Sequence, residues 1–395
     1  MEWKPKDVNL DESQRRIIKN CLDAIQTKNS VYRIPWVSGF AGNGKSVVLV
    51  HTMEQIAELE KNASIAFITY THALKDLISH SLLPKHKERI DVKTHTSFIS
   101  EKNYYDYVFI DEVQDISQAH LEKMSSLSGS MVIAGDFAQS IYPANKPISL
   151  DQLKRVFSVE EHRLLKMFRL TKKLADIVVK LLPSGSFTKG EPLNLGEEVP
   201  PRLLNFDGEN EEFEWLWNEA CLYSYTRKPS LILFPFKKDI ENFLNFVSNL
   251  EDLGNIPRIN NSFRGGEPKD PYLDINNFFK DADLNTLVQV LGSGSGSDGL
   301  ELASSKKVVF VMTYHSSKGL DFDTVFVPSL DEGKKLYPGI ASITENKDLE
   351  SKLLFVALTR SRKNLFMSYS TNKPHHLISN FGLKPIQINN SNSDY

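Results

Sequence analysis

Gly39-Phe40-Ala41-Gly42-Asn43-Gly44-Lys45-Ser46 is the stretch on which the reading of this chain turns. Two glycines bracket four residues and a Lys-Ser pair follows, the pattern of a loop that cradles phosphate. Glycines let backbone N–H groups turn inward on an anion with no Cβ in the way. Lys45 is then placed to reach the β- and γ-phosphates, and the Ser46 hydroxyl to complete a Mg²⁺ shell. The apolar run Arg33–Ser38 precedes the loop as a strand would. Val47–Val50 opens a helix whose N-terminus favours anions. ATP and Mg²⁺ are therefore expected here, with Gly39, Gly42, Asn43, Gly44, Lys45 and Ser46 around the nucleotide. The alternative is a glycine-rich turn that holds nothing.

Working outward, apolar residues recur at helical spacing from Ser13 to Thr27, with Asp11 or Ser13 as cap. Residues 65–70 read as a buried strand, 73–81 as a short helix, and the charged patch Lys85–Arg89 as a solvated loop or, less often, a phosphate contact. Tyr105–Ile110 is a strand ending in Asp111-Glu112, and Met131–Ala134 one ending in Gly135-Asp136. An aspartate at a strand end suits Mg²⁺, and the next carboxylate can orient or deprotonate an attacking water. Strands alternating with helices predict an α/β fold, a parallel sheet with helices on both faces and ligand at the carboxyl ends.

The second half repeats the alternation. Strands are expected at 230–234, 308–312, 324–327 and 364–367, and an amphipathic helix at 237–250. No second phosphate loop appears. Asn255–Lys280 reads as irregular and Gly292–Ser297 as a flexible linker. The expected domains are residues 1–155 and 156–385, with a flexible tail at 386–395.

Composition narrows the class without naming it. Of the 395 residues, 41% are hydrophobic and 25% charged, ordinary for a globular chain. A net charge of −3 excludes global basicity, so any nucleic-acid surface is a local groove. Cys21 and Cys221 have no ligand-spaced neighbours, which argues against a disulfide framework or zinc and fits a reducing cytoplasm. No apolar run approaches the ~20 residues that cross a bilayer. The N-terminus lacks the apolar core of a signal peptide, so a cytoplasmic protein is expected.

Asp111-Glu112-Val113-Gln114-Asp115 and Gly135-Asp136-Phe137-Ala138-Gln139 together resemble motifs II and III of superfamily 1 helicases of the UvrD/Rep type. Leu10–Gln14 is similar to the glutamine motif, which implies that Gln14 reads adenine. Residues 68–73 look like motif Ia, and 94–98 like the next strand-contacting motif. Residues 165–169 resemble motif IV, Met312–Asp321 motif V and Leu353–Arg360 motif VI. The resemblance implies two RecA-like domains with ATP in the cleft between them. It also implies γ-phosphate contacts by Arg169 and Arg360 from the far domain, a relay role for Gln139, and further nucleotide contacts at Gly319 and Asp321.

For single-stranded nucleic acid, DNA rather than RNA, the implied contacts are Thr69, Thr71, His72, Thr94, His95, Thr313 and His315 to phosphate and sugar. Lys318 adds a charge, and Phe98, Tyr142 and Tyr314 are stacking candidates whose alternative is the core. The family's two large inserted domains are missing: only Leu74–Lys93 and Glu251–Lys307 fill those gaps. ATP-driven translocation is thereby better supported than autonomous unwinding. A nucleotide-gated switch that docks a protein partner, or an ATPase subunit serving a nuclease on another chain, is the rival.

Overall fold

The computed structural model describes residues 9–27, 32–143, 146–182, 191–192, 199–259, 270–292, 298–337 and 343–388. The chain divides into two compact units, Glu2–Arg169 with Gly185–Leu193, and Leu170–Ser184 with Asn194–Tyr395.

In the first unit six strands make one parallel sheet: β1 (Ile34–Ser38), β2 (Ile65–Thr69), β3 (Ile90–Thr94), β4 (Tyr105–Ile110), β5 (Ser128–Gly135) and β6 (Val159–Arg163). Their order is β3-β2-β4-β5-β1-β6. β1 and β2 are buried along their whole length, as continuous apolar runs covered on both faces must be. Six helices accompany them: α1 (Glu12–Gln26), α2 (Lys45–Leu59), α3 (His72–Ser81), α4 (His95–Glu101), α5 (Gln118–Ser126) and α6 (Leu150–Val156). Asp11 caps α1 in a capping box, its carboxylate accepting from Gln14 N at 2.7 Å while Gln14 Oε1 accepts from Asp11 N at 3.1 Å. Ile17, Ile18, Cys21, Leu22 and Ile25 are buried, as their spacing predicts.

Two strands of this sheet escape the sequence reading. β3 and β6 carry charged residues because both lie at sheet edges, where only main-chain pairing is required. β6 runs parallel to β1, Ile34 opposite Val159, so the first unit continues past the expected boundary at 155. In the patch at Lys85–Arg89, Lys85, Lys87 and Glu88 are exposed, as a solvated loop predicts, while the other two side chains turn inward. Pro84–His86 form a 3₁₀ turn, His86 is buried, and Arg89 donates to Ala57 O (2.6 Å) and Glu60 O (2.9 Å) at the end of α2. Those carbonyls have no intrahelical donor, which gives the guanidinium its place.

A short parallel pair, β7 (Lys166–Met167) and β8 (Glu191–Pro192), follows. The second unit's sheet is also parallel: β9 (Arg202–Asn205), β10 (Ser230–Phe234), β11 (Leu287–Leu291), β12 (Val308–Thr313), β13 (Phe322–Val327), β14 (Ser361–Tyr369) and β15 (Ile386–Gln387), ordered β11-β12-β10-β13-β14-β9-β15. Its helices include α7 (Lys172–Val178), α8 (Glu209–Leu222), α9 (Lys237–Leu250), α10 (Leu273–Asp281), α11 (Asp298–Leu302) and α12 (Ile343–Leu358). Phe213, Phe234, Phe243, Phe326 and Phe366 fill the core.

α10 occupies part of the segment expected to be irregular. Ile275 and Phe279, one turn apart, are buried, and the Asn276 amide brackets β11, donating to Val290 O (3.0 Å) and accepting from Val290 N (2.8 Å). The expected tail at 386 is corrected as well, because Ile386 and Gln387 pair with β9. Residues 293–297 of the expected linker and 389–395 lie outside the described residues.

Candidate nucleotide site and strand-facing surface

The sheet order puts β4, β5 and β1 side by side, so three loops meet at their carboxyl ends: Asp111-Glu112, Asp136–Gln139 and the glycine loop. Gly44 takes a left-handed conformation (φ 87°) to start α2, and a Cβ there would lie 2.5 Å from Gln14 Nε2. Gln14 therefore flanks the loop, as its expected role requires. The Ser46 hydroxyl donates to Asp111 Oδ2, and Asp111 Oδ1 accepts from Glu112 N at 2.9 Å. Asp111 is fully buried; burial and the neighbouring Glu112 push its carboxyl up to about 6.

Lys45 Nζ donates to Gly39 O and Phe40 O, both at 2.8 Å. Burial pushes the Lys45 pKa down, while Asp136, Glu112 and Asp111 push it back up. Exchanging two neutral carbonyls for phosphate oxygens would strengthen each of these hydrogen bonds. Asn43 is a staple instead: buried, it donates to Leu164 O at 2.9 Å just after β6.

Glu112 sits at φ 55°, ψ 42°, a left-handed conformation uncommon for a side chain with a Cβ. Gln114, which sequence reasoning overlooked, ties the two acidic loops together. Its amide nitrogen donates to Glu112, and its oxygen accepts from Asp136 N at 3.1 Å. Gln139 Nε2 in turn donates to Asp136 Oδ2 at 2.7 Å. The expected catalytic carboxylate and the expected relay glutamine are thus linked through two intervening hydrogen-bonded residues. The only signal for Gln114 in the sequence is its place inside the acidic motif.

Arg169 departs from expectation. It belongs to the first unit, not the far one, and packs on the glycine loop: a Cβ built on Gly42 would lie 2.3 Å from Arg169 Cβ. The preceding Phe168 donates its N–H to Gly42 O at 2.8 Å and leaves its ring 39% exposed beside the loop. No sequence pattern marked that ring.

The strand-contact set lies at the carboxyl ends of the neighbouring β2 and β3. Thr71 and Thr94 cap α3 and α4, accepting from Leu74 N (3.2 Å) and Ser97 N (3.3 Å). Thr69 is buried, and His72 and His95 are half-buried. Phe98 is core, 1% exposed and stacked on Tyr105, so the stacking alternative falls away. Tyr142 stacks on Tyr70 (centroids 4.3 Å apart) and Tyr70 on His95 (4.7 Å).

In the second unit the Thr313 hydroxyl bonds Ser316 Oγ at 3.0 Å, His315 is half-buried, and Gly319 turns the chain at φ 86°. Two expectations are corrected. Tyr314 is 0% and Lys318 1% exposed, so neither presents a surface to a base or a phosphate. Arg360 is also buried, donating to Val356 O (2.8 Å), Leu320 O (2.9 Å) and Thr359 Oγ1 (3.1 Å) within its own unit. Arg362 pairs with Asp321.

The sequence has counterparts among known proteins. A UvrD-like helicase C-terminal domain model matches residues 237–372, and an AAA domain model matches 22–145. The ATP-dependent DNA helicase Rep of Buchnera aphidicola (Schizaphis graminum) is 46% identical over 65 residues, 16% of this chain and 10% of that one. DNA helicase II of Rickettsia typhi is 30% identical over 127 residues, 31% of this chain and 17% of its own length. Over these stretches the chain is similar to UvrD/Rep-type superfamily 1 helicases.

Its matches thus span a small part of those relatives' length. An arterivirus nonstructural protein 10 (helicase) of known structure overlays at a TM-score of 0.41 with 17% identity, covering 91% of this chain and 63% of that one. The stretches that resemble UvrD/Rep-type motifs sort into two sets. The glutamine motif, the glycine loop and motifs Ia to IV lie in the first unit, and motifs V and VI in the second. Among the described residues no helix is long and apolar enough to cross a membrane. Nor does any group of three His, Cys, Asp or Glu side chains there form a cluster that could hold a metal ion.

Proposed function

We propose that this chain is an ATP-dependent motor that acts on single-stranded nucleic acid, DNA in preference to RNA. One observation carries the reading. The phosphate loop, the Ser46–Asp111 pair and the Glu112–Gln114–Asp136–Gln139 chain share the carboxyl end of one sheet with the threonines and rings at β2 and β3. The proposed fuel site and strand surface are neighbours on one sheet.

The donor set suits a nucleoside triphosphate with Mg²⁺. Lys45 and the loop N–H groups would hold the β- and γ-phosphates, and Ser46 and Asp111 the ion. Bound Mg²⁺ neutralises charge on the phosphates. Glu112 is placed to orient or deprotonate the attacking water, and Arg169 contributes a permanent charge from beside Gly42. The Phe168 ring and the Gln14 amide flank the loop where an adenine would lie, the ring by stacking and the amide by hydrogen bonding. Arg360 serves the γ-phosphate only if its guanidinium leaves its present carbonyl partners.

Turnover measured with and without oligo-dT tests the reading. Stimulation is expected, and its absence would point instead to a nucleotide-gated switch. A forked duplex with either overhang then separates unwinding from translocation.

A further inference from the structure

Four aromatic rings stand in a row where the strand surface meets α5. Tyr142 stacks on Tyr70, Tyr70 lies nearly parallel to His95 (interplanar angle 11°), and His120 follows with its ring tilted 42° from His95, centroids 5.9 Å apart. Tyr142, Tyr70 and His95 are half-buried, whereas His120, in the first turn of α5, is exposed. Both faces of Tyr70 are already covered, so a base that meets this column without breaking it must add to an end. Burial, with His120 alongside, holds the His95 pKa down near 4. His95 is thus neutral at physiological pH and behaves as a ring in the stack rather than a phosphate anchor.

We infer that His120 is a further base-stacking contact for single-stranded nucleic acid, extending the track from the loops after β2 and β3 onto α5. The inference rests on the proposed strand-binding function and adds a residue to it. Every base offers a π-face, so such a contact ignores sequence, as a motor's track should.

The full-length chain is titrated against a short fluorescein-labelled oligo-dT by anisotropy over a range of salt, as wild type, His120→Ala and His120→Phe. Alanine should weaken binding roughly tenfold, and phenylalanine should restore it to within about twofold. The dependence of affinity on salt should be the same in all three proteins, because stacking releases no counterions. An oligonucleotide carrying 2-aminopurine should show quenching with the wild type that is lost with His120→Ala. If wild type binds but His120→Ala binds equally well, the inference is overturned and the motor reading stands. It is also overturned if Phe fails to rescue and the salt slope falls by about 0.7, the mark of a lost phosphate contact. If the wild type itself neither binds nor is stimulated, the motor reading falls first and takes His120 with it.

Discussion

Arg169 packs its Cβ against Gly42, so the arginine of motif IV and the phosphate loop are one local structure. A side chain at Gly42 would have to adopt φ 75° and occupy space that Arg169 already fills. Gly42→Ala should therefore weaken nucleotide binding and cost about 1–2 kcal/mol from the left-handed backbone alone, before any clash. Arg169→Ala should fold normally and lower kcat roughly 10²-fold, the scale for removing one donor to developing charge. Steady-state kinetics beside a urea melt separate the two effects. An unchanged kcat in Arg169→Ala would remove that residue from the chemistry.

Glu112→Gln keeps the shape of the acidic loop but cannot take a proton from water. Turnover should fall by about 10²–10⁴-fold while a fluorescent ATP analogue still binds. Lys45→Ala should lose both binding and turnover, since the buried ammonium is the group proposed to meet the phosphates.

Arg360→Ala takes the guanidinium donor from the buried Leu320 carbonyl and one of two donors from the Val356 carbonyl, which keeps the Thr359 hydroxyl at 3.0 Å. A stability loss of roughly 2–5 kcal/mol is expected, read as a shift in denaturant midpoint. Turnover must then be compared per folded molecule. A variant that keeps full stability but has no turnover would show that the guanidinium works on the nucleotide rather than as a clamp.

Glu212 gives the second unit a pH signature. It is fully buried, accepts from Ser329 N at 2.9 Å and from the Ser368 hydroxyl, and burial raises its pKa to about 7. Between the ordinary value of 4.5 and about 7 the folded chain holds a proton that the unfolded chain has lost. Stability should therefore fall as pH rises through that window, by roughly 3 kcal/mol in total. Asp111 acts with the same sign and His95 with the opposite one. The difference between wild type and Glu212→Gln across pH isolates this residue, and parallel stability curves would rule its contribution out.

How much could be read in advance depended on which physics each segment uses. Gly39–Ser46 and Tyr105–Glu112 were legible because their backbone and charge requirements are local. The buried strands were legible because both faces need apolar side chains. β3, β6 and α10 were not, since an edge strand held by main-chain pairing, or a helix bracketed by one asparagine, leaves little mark on residue type.

The sequence by itself determined the two parallel α/β halves, the phosphate loop and the acidic strand end, each dictated by residues within a few positions of one another. Only the tertiary structure decided that Arg169 sides with the phosphate loop, that Arg360, Lys318 and Tyr314 are buried, and that His120 ends a row of rings. Those outcomes depend on which distant side chains share a desolvated space, and no spacing along one chain encodes that.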